Sequence, residues 1–570
     1  MVSVLETPSL WVLGALVAYA VTYFVYSKWV DQKIWEANPE RTTPAHMYMD
    51  GVEFFPVSRS VLYGFQFKSI AALGPILGPF IAIAYGWLPA LIWIILGNMF
   101  IGWVQDYSTI MITVRNEGRS MGPLVYQYVG DRPRRILLGY LLFYLLIISA
   151  VFIYLISLFW NVFPGTFLAT LLIIVFSIII GQLLYKMQAN IYAVTGFAIV
   201  AVIVSVLVGA YVNWPPKDFL GPATHAFWMV VLALILAVAS LAPMPTFITP
   251  MNFVSAFPAI AGVLIIIVGA LLTPATGVKL QQPAFKTFFP EAVGPLFPVL
   301  FVSIACGAIS GWHSLVSTSS TGKQLDVETD ARPVGAGAML TEGMLALAAL
   351  AAYMVLAPAE IGGKPASFVA GATRLSQAYL GIDPAVWKSF YALFLVIYAI
   401  TVQTLVTRYW RVFSGEVFTG SLSFLGNKYI ATLTGLVIPI LFALSGSWYN
   451  LWIYFGGSNQ LLAGLALMLV AIIVVRMKKP SLYALAPATF MIIVTLSALG
   501  WETYLYITRV KKYLVTRDVG VLFANPPLNQ YPTAAFLMNV VFVIVGFALI
   551  GLGLIMTYYL YKSYLAKETS

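Results

Sequence analysis

Ile70-Ala-Ala-Leu-Gly-Pro-Ile-Leu-Gly-Pro79 is the stretch whose reading decides the fold of this chain. It lies inside an apolar run, 67–86, of the length that carries a helix across a bilayer. Two Gly-Pro pairs stand four residues apart in the middle of that run. Each proline removes an N–H and crowds the carbonyl four residues back, and each glycine loosens the backbone further. Backbone freed in this way is tolerated at membrane depth only where it is buried in protein or lines a cavity. The bland alternative is a kinked helix held tightly against a neighbour. A broken helix, by contrast, predicts a binding site.

The rest of the chain reads as the same kind of protein. Of its 570 residues, 61% are hydrophobic and 9% charged, against the roughly one quarter charged that a soluble domain carries. So few charges cannot cover a water-exposed surface of this size, and the partner that covers it is the lipid bilayer. Runs of membrane length fall at 9–27, 67–86, 88–113, 136–160, 165–185, 191–212, 226–246 and 254–273. Others follow at 294–321, 335–358, 385–407, 428–446, 450–475, 482–506 and 533–561, so about fifteen transmembrane helices are expected in an all-α polytopic membrane protein. The run near the N-terminus lacks the basic flank and the cleavage site of a signal peptide and is kept as a spanning helix. One cysteine, Cys306, rules out an intramolecular disulfide and a cysteine-rich metal site.

The formal net charge of +10 would suggest nucleic acid in a soluble protein. In a membrane protein such an excess belongs to cytoplasmic loops, and no nucleic-acid partner is expected. With the N-terminus outside and the C-terminus in the cytoplasm, about two thirds of the basic residues fall inside. The bias is strongest in the first two inside loops, which hold Lys28, Lys33, Arg41, Arg59 and Lys68, then Arg115, Arg119, Arg132, Arg134 and Arg135.

A second proline cluster, Leu241-Ala-Pro-Met-Pro-Thr-Phe-Ile-Thr-Pro250, lies five spans after the first. Interrupted helices at corresponding places in two halves point to a transporter built from inverted repeats. The expected division is 1–66 for an N-terminal helix and loop, 67–212 and 226–410 for two five-helix repeats, and 428–570 for peripheral helices. This is a 5+5, LeuT-like core. Substrate is expected between the breaks, at Gly74, Pro75, Gly78, Pro79, Pro243, Pro245, Thr246 and the intramembrane His313. A half-helix N-terminus there offers free N–H groups and a positive dipole end to a carboxylate.

Ionisable side chains inside the membrane are rare and usually functional. Asp106 and Glu342 each lie some seven residues from a cytoplasmic helix end, about 10 Å deep at 1.5 Å per residue. They are candidate proton-coupling groups, with His313 a candidate relay or substrate donor. The bland readings are a carboxylate paired with a loop arginine and a core histidine bonded to a carbonyl. The run Ser317-Thr-Ser-Ser-Thr321 offers the hydroxyls of Ser317, Thr318, Ser320 and Thr321 to a hard cation such as sodium, or simply packs a helix end. The coupling ion is expected to be H+, with Na+ the alternative. No spacing of His, Cys or carboxylate makes a metal site, and no cofactor is expected.

Several segments are similar to the carbon starvation protein A (CstA) family of peptide and pyruvate transporters. They are Asp50-Gly-Val-Glu-Phe-Phe-Pro56, the Gly74–Pro79 repeat, Val104-Gln-Asp-Tyr107, Gly118-Arg-Ser120 and Phe301-Val-Ser-Ile-Ala-Cys-Gly-Ala-Ile-Ser-Gly-Trp-His313. Met339-Leu-Thr-Glu342 and Phe455-Gly-Gly-Ser-Asn-Gln-Leu-Leu-Ala-Gly464 complete the set. The resemblance implies family positions at Asp106, His313, Glu342, Asn459 and Gln460, the last two as further substrate contacts. The chain departs from the family at Gly64-Phe-Gln-Phe67, where Gly-His-His-Phe is usual, and at Met251-Asn252, where an Arg-Asp pair is common. The implied function is a plasma-membrane secondary transporter importing small peptides or pyruvate-like carboxylates, and no enzyme. The alternatives are a membrane-embedded redox protein or enzyme, which would need paired haem ligands or a nucleophile–base pair, and a nutrient sensor with a transporter fold.

Overall fold

Helix is the only regular structure among the residues that this computed structural model describes, 3–362, 364–444, 448–523 and 528–568. A chain in lipid has little choice, because each backbone N–H and C=O must find its partner within the protein. Among the described residues twelve helices are long and apolar enough to cross a membrane, from Ser9–Trp35 to Pro532–Ala566. Two bent pairs, Arg59–Ile70 with Gly74–Tyr85 and Gly420–Gly426 with Lys428–Ala443, raise that number to 14 if each pair is one span. Pro384–Val417 and Trp448–Arg476 run through the centre, almost wholly covered by protein, while Ser9–Trp35 and Pro532–Ala566 lie at the rim.

The first break lies just before Gly74-Pro75, while Pro79 sits inside the helix that follows. Arg59–Ile70 ends, Ala71 turns extended, and Gly74–Ala82 starts afresh with Pro75 in its first turn, bent by 43°. Proline suits that place, since the N–H it lacks would have had no helical partner there.

The second break is not at the proline cluster. Thr224–Leu241 and Ile248–Leu271 are separate helices, each of membrane length, and residues 242–247 only connect them. Pro243 ends a helix instead of bending it, because it forces the residue before it out of helical geometry, as the extended Ala242 shows, while Pro245 and Pro250 sit in the opening turns of the helical segments that follow. The break lies in the run read as one continuous helix, 294–321. There the chain forms short pieces, Leu296–Leu300, Phe301–Ser303, Ala305–Ala308, Gly311–Val316, Ser317–Thr321 and Gly322–Gln324, with non-helical backbone at Ile304, Ile309 and Ser310. Six membrane-length helices separate the two interrupted ones, in place of the four expected. The displacement is still odd, so the two run in opposite directions.

Contacts at their ends agree. Tyr85, closing the first, donates to Gly294 O just before the second, 3.1 Å away. At the other face Val57, before the first, donates to Gln324 O at the end of the second, 3.0 Å away. That second face also gathers Arg41, Arg59, Arg115, Lys323 and Lys479 in ion pairs. Its centre is Glu328, fully buried, which pairs with Arg115 and Arg41 and accepts from the Asn38 N–H at 2.8 Å.

Candidate functional site

The two broken helices cross at their breaks, and glycine allows it. A Cβ at Gly78 would fall 2.6 Å from the Ile304 Cα, and one at Gly74 2.5 Å from the Cys306 Cβ. Small residues at such crossings let backbones approach closely, which is the main source of packing energy between helices in lipid.

Breaking a helix between 303 and 310 strands its carbonyls, and side chains from two other membrane helices, Trp87–Val114 and Trp448–Arg476, take them up. The Trp93 Nε1 donates to Phe301 O at 3.1 Å and the Trp452 Nε1 to Ser303 O at 3.2 Å. Gln460 Nε2 reaches the carbonyls of Phe301, Ile304 and Ala305 at 3.0–3.3 Å. Asn98 Nδ2 donates to Gly307 O at 2.5 Å, and Gln105 Nε2 to Ser310 O at 2.6 Å. On the donor side, the Trp312 N–H gives its hydrogen to Asn459 Oδ1 at 2.9 Å, so Asn459 caps the helix that restarts at Gly311. Asn459 Oδ1 also accepts from the Tyr144 hydroxyl at 3.0 Å. The amides of Asn459 and Gln460 therefore hold the break in shape. Trp93, Asn98, Gln105 and Trp452 share this work, and sequence reasoning passed over all four, since an amide or an indole in a helix signals nothing until its distant partner is known.

Around the restarted helix the three singled-out ionisable groups meet. His313 Nδ1 stands 3.1 Å from Asp106 Oδ2, and Nε2 stands 3.0 Å from Glu342 Oε2, with all three side chains fully buried. The first contact is a hydrogen bond. The second is a close ionic approach, not an aligned bond, which leaves both Glu342 oxygens without a hydrogen-bond donor. Neither a loop arginine nor a backbone carbonyl plays the partner. An imidazole between two carboxylates is a device for holding and passing a proton, because the ring accepts on one nitrogen and releases from the other. Cys306 joins His313 and Glu342, their ligand atoms lying within 4.8 Å of one another, a grouping that their sequence spacing did not suggest.

The hydroxyl run faces the same region. Thr321 Oγ1 donates to Gln66 Oε1 at 2.5 Å, and Gln66 Nε2 donates to Ser317 Oγ at 3.2 Å. Thr318 bonds back to the Ser314 carbonyl, and Ser320 meets the Tyr409 hydroxyl at 3.1 Å. The expected contribution of the proline cluster is absent from this centre. Pro243 is exposed and Thr246 half-buried in the 242–247 connection, whose Ala242 carbonyl accepts from Arg408 at 3.2 Å; the Pro245 side chain lies outside the described residues. Gly74, Pro75, Gly78 and Pro79 are all buried at the crossing.

Lys68 corrects the loop assignment. It is not in a cytoplasmic loop but fully buried on Arg59–Ile70, its Nζ 2.7 Å from Thr401 Oγ1 and 4.2 Å from the centre of the Tyr398 ring. Removing it from the inside tally does not change which side holds more positive charge.

The family described as carbon starvation protein CstA matches residues 8–363 and 358–498. The peptide transporter CstA of Campylobacter jejuni is 28% identical over 561 residues, covering 85% of this chain and 79% of that protein. The pyruvate/proton symporter BtsT of Escherichia coli is 27% identical over 680 residues, covering 99% and 92%. The peptide transporter CstA of Escherichia coli is 29% identical over 576 residues, covering 87% and 81%. A crystal structure of a mutant Eremococcus coleocola manganese transporter aligns with 90% of this chain and 99% of its own at 13% identity and a TM-score of 0.41, a likeness too low to fix the repeat arrangement. The relatives are transporters and not enzymes, and with its family matched over most of its length, this chain belongs to the carbon starvation protein CstA family.

Proposed function

We propose that this chain is a secondary active transporter that imports small peptides or pyruvate-like carboxylates across the plasma membrane, driven by protons. The observation that carries the reading is the fully buried Asp106–His313–Glu342 array, set against the crossing of two antiparallel broken helices. Buried charges are costly in a membrane and are kept where they move ions or protons. The array sits on three separate elements, so rocking of one against another changes the distances on which its proton occupancy depends. The names of the relatives, peptide transporter and pyruvate/proton symporter, support the same cargo and coupling.

Protons are favoured over sodium because the hydroxyls offered to sodium already have protein partners, with Ser317 and Thr321 both engaged by Gln66. The N-terminus lies outside and the C-terminus in the cytoplasm. The basic face supports this orientation: the last helix returns to it, Ser563 donating to Tyr128 O, while Glu6 pairs with Lys279 at the other end. The test is uptake of labelled pyruvate and of labelled dialanine by the purified protein in liposomes, with proton and sodium gradients imposed separately. Accumulation under the proton gradient is expected. Uptake indifferent to both gradients defeats the reading.

A further inference from the structure

Lys68 is a basic side chain inside the membrane-embedded core with no acidic partner of its own. No carboxylate of the described residues comes within ion-pair reach of its Nζ, and its contacts are one hydroxyl and one aromatic face. The Thr401 hydroxyl that accepts from it donates onward to the Ile397 carbonyl at 2.7 Å. An ammonium has three hydrogens to give, so two are left over.

Its neighbours are short of acceptors as well. The Tyr398 hydroxyl and the Oγ of Ser69 are buried without hydrogen-bond partners. One turn on, the N–H groups of Ala72 and Leu73 make no hydrogen bond at the start of Gly74–Ala82, a helix of nine residues. Lys68 Nζ has hydrogens to give, the Tyr398 side chain beside it ends in an unpartnered hydroxyl, and a half-helix starts one turn on, so this stretch lacks an anion with several lone pairs. A carboxylate supplies it.

Charge balance sharpens the inference. Glu342 is near enough for its charge to act on Lys68, though too far to pair with it. When Lys68, Asp106, His313 and Glu342 are all ionised, their formal charges cancel. Cys306 and Tyr398, titratable groups beside them, are neutral near pH 7 in their ordinary state. An entering monocarboxylate adds one negative charge to a region that cannot hold it unbalanced, and one proton on the cluster cancels it.

We propose that Lys68 anchors the carboxylate of the transported substrate, a small monocarboxylate of the pyruvate type, and that charge balance ties one proton to each carboxylate carried. This rests on the transport reading above and names its substrate class. The test is proton-driven uptake of labelled pyruvate in liposomes by the wild type, Lys68→Gln and Lys68→Arg. Pyruvamide serves as the uncharged competitor, and membrane potential is set with potassium and valinomycin. In the wild type, pyruvamide is expected to compete at least tenfold more weakly than unlabelled pyruvate, and the initial rate is expected not to respond to potential. Lys68→Gln is expected to raise the KM for pyruvate at least tenfold, and Lys68→Arg to keep the preference for the acid. Equal competition by pyruvamide, an unchanged KM in Lys68→Gln, or potential-driven pyruvate uptake would each overturn the proposal. If Lys68→Gln does not yield monodisperse protein, the wild-type comparison with pyruvamide decides alone. A wild type that carries dialanine but not pyruvate overturns the Lys68 assignment only, whereas one that carries neither defeats the transport reading and this inference with it.

Discussion

Replacing Glu342 by Gln keeps the shape of the side chain and removes one charge from the buried array. His313 Nε2 and Glu342 Oε2 are 3.0 Å apart. At that separation two unit charges attract by about 5.5 kcal/mol if the effective dielectric is about 20. Desolvation offsets part of this, but the remainder is large beside the ~1.4 kcal/mol that one pH unit represents. Proton occupancy of the array therefore depends on Glu342, and the variant loses one exchangeable proton. With one proton per carboxylate, an inward gradient of one pH unit sustains about tenfold accumulation, since ~1.4 kcal/mol is a factor of ten. The wild type in liposomes is expected to approach that ratio with labelled pyruvate. Glu342→Gln is expected to stop near equal concentrations on the two sides while still exchanging internal unlabelled for external labelled substrate. The binding site and the moving helices remain, and only the driving proton is gone. Tenfold accumulation by the variant would refute the coupling role of Glu342, and loss of exchange together with accumulation would show that it serves substrate binding or folding instead.

Other expectations test the frame around the site. Asn459→Leu leaves the buried Trp312 N–H and the Tyr144 hydroxyl without an acceptor, at about 1–3 kcal/mol each; thermal unfolding in detergent should move down clearly, and an unchanged midpoint would remove Asn459 from its capping role. Glu328→Gln takes the charge from a fully buried carboxylate held by Arg115 and Arg41, a loss of ~3–5 kcal/mol for a wholly buried pair and less here because Arg41 is 42% exposed. Limited proteolysis should then open the 36–58 loop, and cleavage no faster than in the wild type would argue against Glu328 holding it down. At the opposite face, the side-chain hydrogen bond from Arg374, together with the Ala357 N–H, holds the Glu360 carboxyl below its ordinary value. A carboxyl lowered in the folded state stabilises above its unfolded pKa and loses that contribution as pH falls through the folded one. Glu360→Gln should therefore be slightly less stable than the wild type at pH 7, by no more than ~1 kcal/mol for so exposed a pair, and the difference should vanish well below pH 4.5. A difference that persists or grows in acid would contradict the pairing.

Sequence by itself determined that the chain lives in lipid and crosses it many times, because membrane length and apolarity are properties of contiguous residues. It also determined the first break, since Gly74-Pro75 carries its backbone chemistry wherever it stands, although Gly78-Pro79 lies inside the helix that follows. Asp106, His313 and Glu342 could each be singled out, because a titratable group within an apolar run is visible locally. Their meeting could not, as Asp106 and His313 are 207 residues apart. The second break misled for a related reason. Proline was the only local signal of interruption, and at 243–250 it ended a helix, whereas at 304–310 no proline is present. That break exists because Trp93, Asn98, Gln105, Trp452, Asn459 and Gln460 satisfy the backbone groups it strands, and those donors and acceptors lie on helices that only packing brings near. Lys68 makes the same point. Read along the chain it is a basic residue at the edge of an apolar run, and its burial against Thr401 and Tyr398 was decided by a helix more than three hundred residues away.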